Sequence, residues 1–396
     1  MQKASITAFD YTGAQLPIET KQVHLQPSAY EKLDHQHFML KEIYEQKEAI
    51  NNTIAYYKGL GDSIWQTLGL TEDKARSITS INLFGCGTSW HAARIGQFFF
   101  EKVAKLPVSV HLASEFRYME YFPSINSLFV AISQSGETAD TLELIRYFNN
   151  YGAHTIALTN VETSSMVRET HGSILTKAGP EIAVASTKAF ATQLASLYWL
   201  AHRFALVRGW ITAEQMAQAE ENILHAADVL EQTIEQYKVD IIASAKDYAQ
   251  AQRIMYLGRH VSYPFAMEAA LKLKEISYIF AQGYPAGELK HGSIALVDEQ
   301  TPIILFSHQD PIIYQKLVGN AQEVKARKGH LVVFAFEGQD ELISLANKAF
   351  IVPRVAPLLE SVAMTGVMQF FAYQVALVLG RDIDKPRNLA KAVTVE

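Results

Sequence analysis

Between residues 268 and 291 the chain reads EAALKLKEISYIFAQGYPAGELKH. Glu268, Lys272 and Glu275 stand at i, i+4 and i+7, so a helix here stacks two carboxylates and an ammonium on one face. Leu273, Ile276 and Phe280 make an apolar row beside that seam, and Met267, Ala270, Leu271 and Tyr278 make another. A helix apolar on both flanks is buried, which turns its charged seam toward a cavity and away from open water. A loop with Gly283, Pro285 and Gly287 follows and ends on Glu288, Lys290 and His291. Carboxylates, amines and an imidazole in so short a stretch are the groups that move protons. They are also the groups of a salt-bridged helix with a solvated lysine, and these residues alone leave both readings open.

Three hydroxyl-rich loops lie earlier in the chain. SQSGET offers Ser133, Ser135 and Thr138, and Thr88-Ser89 and Ser186-Thr187 supply two more pairs. Placed where a strand opens a helix, such hydroxyls and the free helix amides suit a phosphomonoester. A nucleoside triphosphate is disfavoured because the glycine-lysine pattern of its phosphate loop is missing. Helix capping alone also accounts for Ser and Thr at these positions. Gly85-Cys86-Gly87 after a strand could begin a dinucleotide fingerprint, with Glu115 as the ribose-binding acid, but Trp90 replaces the third glycine. Cys86 reads as a small buried residue or as a nucleophile at a helix N-terminus. The final stretch, DKPRNLAKAVTVE, is unlike a frayed end. Val393 and Val395 alternate after Pro386 and Leu389, which suggests a docked tail holding Lys391, a lysine able to form a Schiff base when poorly solvated.

The elements that must position these groups alternate. Strands are expected at residues 77–84, 108–112, 127–132 and 155–158, and helices at 90–105, 139–149 and 188–207, with a helix or loop at 115–121. Residues 37–57 read as one helix, 213–237 and 239–252 as two more. The order then begins again, with strands at 254–257, 302–306 and 330–336 and helices opening after Gly258 and at 311–328. Gly85 and Gly258, Ser133 and Ser307, and His154 and His330 are 173, 174 and 176 residues apart. That regularity suggests a duplicated α/β unit, each copy a doubly wound parallel sheet with helices on both faces. The first copy keeps the hydroxyl loops and the second has SHQDPI at the matching place, so one copy is expected to bind and the other to catalyse. The division expected is an arm at 1–35, domains at 36–235 and 236–380, and a tail at 381–396. In the arm, Thr12-Gly13 marks a turn and Pro17 and Pro27 mark breaks.

The 396 residues are 49% hydrophobic and 19% charged, enough for two cored domains. A net charge of -6 with scattered basic residues leaves no stripe for nucleic acid. No signal-like start and no uncharged apolar run of membrane length is present, so a soluble cytoplasmic protein without a membrane partner is expected. Cys86 is the one cysteine, which excludes an internal disulfide, and the thirteen histidines fall in no ligand pattern, so neither a metal nor a cofactor is expected.

FGCGTSWHA, ISQSGETADTL, EIAVASTKAF, LKLKEISY, AGELKHG and PRNLAKAVTVE resemble, in order and spacing, the isomerase half of the glutamine:fructose-6-phosphate aminotransferase family. The resemblance runs from about Tyr44 to Glu396 and implies two sugar-isomerase (SIS) domains of flavodoxin-like type. It implies that Ser133, Gln134, Ser135 and Thr138 hold the phosphate of fructose 6-phosphate. Cys86, Gly87, Thr88, Ser89, Val184, Ser186 and Ala390 would line the sugar site. By the same resemblance Glu275 is the base moving a proton between C1 and C2, with Lys272 beside it to stabilise or relay charge. His291 opens the ring from the neighbouring subunit of a homodimer, and Lys391 forms an imine at C2. Ammonia supplied by a glutaminase domain would then give glucosamine 6-phosphate.

The chain departs from the family in beginning Met1-Gln2 without that domain; residues 4–17 resemble its end and a linker, as in an excerpt of a longer protein or a stand-alone isomerase. Ala269 and Ser293 replace a usual glycine and proline and bear on packing. A stand-alone isomerase or deaminase, a sugar-phosphate sensor without catalysis and a nicotinamide oxidoreductase are the competing readings.

Overall fold

The computed structural model describes residues 7–17, 30–121 and 126–395. Pro27 therefore lies outside the described residues. Near the start, Ala8–Phe9 (β1) and Gln15–Leu16 (β2) pair antiparallel around the Thr12-Gly13 turn. Asp10 Oδ1 accepts from the amides of Thr12 and Ala14, each at 2.9 Å, and so closes it.

Two five-stranded parallel sheets follow. The first holds β3 (Ser80–Gly85), β4 (Val108–Leu112), β5 (Ser127–Ser133), β6 (His154–Thr159) and β7 (Gly172–Leu175), in the order β4-β3-β5-β6-β7. The second holds β8 (Arg253–Gly258), β9 (Phe280–Pro285), β10 (Pro302–Phe306), β11 (His330–Phe336) and β12 (Lys348–Val352), in the order β9-β8-β10-β11-β12. The two orders are the same, second-first-third-fourth-fifth, so the expected repeat of one doubly wound unit is present. Strands β7, β9 and β12 are additions to the sequence reading, which put Phe280 on the helix face and took Gly283 to His291 as loop. All three are sheet edges. An edge strand lacks the continuous buried run that reveals β5 and β10, each buried throughout.

Nine helices of seven or more residues stand among the described residues: α1 (Phe38–Tyr44), α2 (Gln46–Leu60), α3 (Gly87–Phe99), α4 (Ala139–Asn150), α5 (Lys188–Val207), α6 (Ala213–Ala249), α7 (Ser262–Ser277), α8 (Pro311–Lys325) and α9 (Glu360–Val378). The helix expected over 37–57 is two, bent at Glu45. The two expected over 213–252 are one. A Thr212–Gln215 capping box starts α6, and Ile234, Tyr237, Ile241, Ala245 and Tyr248 keep its buried stripe unbroken through Lys238. Residues 235 and 236 thus lie inside a continuous helix.

One apolar core joins the inner faces of both sheets through α3, α5, α6, α7 and α9, while smaller cores cover the outer faces. By length and composition α9 could cross a membrane, but it is buried along most of its length as the central core helix. Its packing along α6 explains how two sheets share one interior.

Candidate active site

Helix α7 carries the charged seam, and two glycines set its place. A Cβ on Gly258 would lie 2.0 Å from the Ser262 carbonyl oxygen, and one on Gly283 would lie 2.7 Å from Met267 Cα. Only glycine lets the end of β8 and the middle of β9 approach the helix so closely. Leu273 and Ile276 are buried as the apolar row requires. Phe280 is not: it lies on β9, 66% exposed, because α7 ends at Ser277 and Tyr278 caps it in the left-handed region at φ +67°.

The seam faces neither open water nor an empty cavity along its whole length. Glu268 and Lys272 are fully buried against α3 of the other copy. Thr88 Oγ1 donates to Glu268 Oε1 (3.0 Å), and His91 Nδ1 donates to Glu268 Oε2 (2.7 Å). A carboxylate only accepts, so this contact fixes the hydrogen of His91 on Nδ1. Lys272 Nζ donates to Thr88 Oγ1 (3.1 Å) and lies 3.5 Å from Glu268 Oε1 and 2.7 Å from Glu275 Oε2. The last contact is an ion pair whose angles miss hydrogen-bond geometry, so Oε2 keeps a free lone pair. Burial pushes the Lys272 pKa down, but Glu275 and Glu268 outweigh it and hold the ammonium above its ordinary value. Glu275, on the last turn, retains 20% side-chain exposure.

The hydroxyl loop stands at the carboxyl end of β5, the switch point of the first sheet. Ser133 Oγ accepts from Gly136 N (3.1 Å) and contacts Thr138 Oγ1 (3.0 Å), while Ser135 Oγ accepts from Glu137 N (3.2 Å). The Gln134 carbonyl accepts from Asn160 N at 3.2 Å, which holds the loop to the next strand. Thr138 is the N-cap of α4 but its side chain caps nothing. In the second copy, Asp310 caps α8 by accepting from Ile312 N (2.9 Å) and Ile313 N (3.2 Å). A carboxylate there occupies the position and supplies the charge that an anion would bring, so the second copy's helix start is closed to phosphate. A cavity of about 610 Å³ beside it is lined by His260, His308 and Glu360. Burial and the neighbouring His260 push His308 down to about 4.

The remaining expected residues lie at the start of α3, before α5 and in the tail. Cys86 caps α3 half-buried, with burial raising its thiol pKa, which disfavours a thiolate nucleophile. Gly87 starts α3 at φ +52°. Ser89 Oγ accepts from Gln193 Nε2 (3.0 Å), and Ser186 Oγ donates to Glu181 Oε2 (3.4 Å). Val184 is half-buried, and its amide donates to the Asp384 carbonyl at 3.0 Å.

The tail is docked, though not by its valines, which are exposed. Ala139 N donates to the Val393 carbonyl (3.1 Å), Arg387 N to Tyr278 Oη (2.8 Å), and Phe38 N and Met39 N to the Asp384 carboxylate (each 3.0 Å). Ala390 is exposed beside Lys391, whose Nζ donates to Glu181 Oε2 (2.5 Å) and the Ala183 carbonyl (2.8 Å). Glu181 is fully buried and also accepts from Thr187 N and Ala189 N (each 2.9 Å). Its charge reaches Lys272 as well, which links the tail lysine to the seam. His291 is exposed at the end of the Ala286–His291 turn and joins none of these groups among the described residues. The sequence reading missed Glu181, Glu42 and His91; Glu181 and His91 stand within motifs it quoted and Glu42 outside them, and each has a partner remote in the chain. Among the described residues no cluster of three or more His, Cys, Asp or Glu side chains could hold a metal ion.

The model of the SIS domain matches twice, over residues 76–203 and 247–379. The chain belongs to the SIS domain family. These two SIS domains contain the two sheets and are joined by α6. The chain is 40% identical over 398 residues to the glutamine–fructose-6-phosphate aminotransferase (isomerizing) of Methanosarcina acetivorans, covering 100% of this chain and 64% of that enzyme. The enzyme of that name from Acinetobacter baylyi is 41% identical over 391 residues, with 97% and 63% covered. This SIS protein thus spans just under two thirds of these relatives' length. The solved C-terminal domain of glucosamine-fructose-6-phosphate aminotransferase from Francisella tularensis superposes with a TM-score of 0.83 at 37% identity, covering 90% of this chain and 100% of that one. Tagatose-6-phosphate ketose/aldose isomerase from Escherichia coli shares the fold, with a TM-score of 0.77 at 20% identity, covering 90% and 97%. The SIS pair is therefore homologous to the isomerase half of glutamine–fructose-6-phosphate aminotransferases.

Proposed function

We propose that this chain isomerises fructose 6-phosphate to glucose 6-phosphate, and that it forms glucosamine 6-phosphate when a glutaminase domain supplies ammonia. The observation that carries the reading is that the first SIS domain receives Lys391, from the last residues, at Glu181 and Lys272, from the seam of the second SIS domain, at Thr88. The loop 133–138 takes the phosphate through Ser133, Gln134, Ser135, Thr138 and the start of α4. Thr88, Ser89, Val184, Ser186 and the chain around Cys86, Gly87 and Ala390 line the sugar.

Isomerisation of a ketose to an aldose removes a proton at C1, passes an enol-like intermediate and returns the proton at C2. Glu275 is the base, held at 2.7 Å beside Lys272 with part of its side chain exposed. Lys272, kept charged by its carboxylates, supplies positive charge to the intermediate. Lys391 leaves Glu181 to form the imine at C2 of the sugar, and ammonia enters there afterwards. His291, remote from the seam within one chain, opens the sugar ring across a homodimer. The active form is then a dimer, in the cytoplasm, with sugar phosphates as its partners and neither nucleic acid nor membrane.

Coupled detection of glucose 6-phosphate from fructose 6-phosphate tests the reading, with Glu275→Gln and Lys391→Ala as variants. Glu275→Gln is expected to lower kcat by a factor on the order of 100 or more. Activity surviving both substitutions overturns these roles, and inactivity of an intact dimer with sugar-phosphate binding retained points to a sensor.

A further inference from the structure

Two buried carboxylates and one lysine meet beside the start of α5. Glu181 is fully buried, and Glu42 of α1 is almost so. Glu42 Oε1 accepts from Ile182 N (2.5 Å) and Ala183 N (3.2 Å), so it grips the residues next to Glu181. Thr187 Oγ1 stands 3.5 Å from an oxygen of each. The positive groups facing the pair are Lys391 from the tail and, further off, Lys272 from α7. Lys188 of α5 is committed to Glu45 at 2.7 Å, and Lys41 of α1 donates to the Glu31 carbonyl at 2.7 Å. Two carboxylates sharing one bonded ammonium in a dry site hold one proton between them. That proton sits on Glu42, which burial and Glu181 push up to about 8. Glu181 stays ionised. Burial alone would raise it, but Lys391 and two helix amides carry it below the usual carboxylate range.

We propose that Glu181 is a further catalytic residue of this site, the acceptor that frees the Lys391 amine, and that Glu42 is a positioning residue keeping the pair at one negative charge. The proposal rests on the reading that Lys391 forms an imine with the sugar. The step balances without any other reactant. Glu181 takes a proton from the Lys391 ammonium, and the amine lone pair bonds to C2 as the carbonyl π electrons move to oxygen. The nitrogen passes a proton to that oxygen, leaving a neutral carbinolamine. Glu181 returns its proton to the hydroxyl, the C–O bond breaks, water leaves, and the nitrogen lone pair closes the iminium. Ammonium and ketone have become iminium and water. Glu181 begins and ends ionised, facing a positive nitrogen each time, so the buried charge balance is the same before and after. With the sugar absent, the same contact parks Lys391 2.5 Å from its acceptor.

The test is reductive trapping. The whole chain is mixed with fructose 6-phosphate, quenched with borohydride at intervals, and the reduced adduct at Lys391 is quantified by mass spectrometry. Glu181→Gln keeps an oxygen for the α5 amides but cannot take a proton, and at pH 7 it is expected to trap Lys391 on the order of 100-fold more slowly. Trapping at the wild-type rate overturns the proposal. A wild-type chain that isomerises the sugar yet gives no Lys391 adduct overturns the imine reading beneath it, so the two failures are distinguishable. Glu42→Gln gives a second arm, even where Glu181→Gln fails to fold, because an amide replaces a carboxyl that is already neutral. Above about pH 8, where wild-type Glu42 ionises and the second negative charge holds the ammonium back, the variant should outpace the wild type. Identical pH profiles for the two proteins overturn the role given to the pair.

Discussion

Replacing Lys272 by methionine isolates the energetics of the seam. Lys272 and Glu268 have side-chain exposures of 1% and 0%, and Glu275 has 20%. Methionine fills much of the lysine's volume, so the change removes charge more than packing. Thr88 and His91 still donate to Glu268, yet its negative charge, and that of Glu275 one turn away, are left without a cation at 3.5 and 2.7 Å. Breaking a buried pair in this way costs roughly 3–5 kcal/mol. The Lys272 pKa is raised above 10.5, so its contribution is complete at neutral pH and is lost as pH climbs through the raised value. The variant should therefore be less stable than wild type at pH 7, with the gap closing at strongly alkaline pH. Urea unfolding followed by circular dichroism and by tryptophan fluorescence measures it, provided the two transitions coincide. Adding Glu268→Gln removes the stranded charge and should recover a large part of the loss, giving a coupling energy of about 1–3 kcal/mol between the two sites. A Lys272→Met chain within about 0.5 kcal/mol of wild type, or a double variant whose losses simply add, would refute the reasoning.

Three further outcomes follow from single contacts. Gly283→Ala puts a Cβ 2.7 Å from Met267 Cα, so α7 must shift, and a loss of about 1–3 kcal/mol with lowered isomerase activity is expected in melting and turnover measurements. Asp384→Ala uncaps α1 from a distance of 345 residues along the chain and should cost about 1 kcal/mol, with the tail beyond it cut faster in limited proteolysis. Glu42 binds its proton more tightly folded than unfolded, so it draws stability from the wild type as pH rises from about 4.5 to 8; the Glu42→Gln chain should lose less across that window in urea titrations.

Much of this was legible because the signal was local. Continuous apolar runs such as 128–132 and 302–306 mark buried parallel strands, and both are buried throughout. The repeat spacing carried the duplication, and the matching strand orders bear it out. The i, i+4, i+7 pattern placed Glu268, Lys272 and Glu275 on one face. Edge strands were hidden because half their residues face solvent, as Phe280 and Gln282 do on β9. The long helix α6 was cut in two because its polar stretch around Lys238 resembles a break, whereas the buried stripe from Ile234 to Tyr248 runs on against α9.

The sequence by itself determined the elements, their repeat and the chemical types present, since propensity and periodicity act over a few residues. The tertiary structure decided which groups meet. His91 and Thr88 reach Glu268 across about 180 residues of chain, and Lys391 reaches Glu181 across 210. Such contacts are set by how two sheets share one core, and no spacing in the chain encodes them. Burial then settled the charges: the same carboxyl group that would ionise freely at the surface holds a proton on Glu42 and loses it on Glu181, which takes the direct hydrogen bond from Lys391 and those from the start of α5.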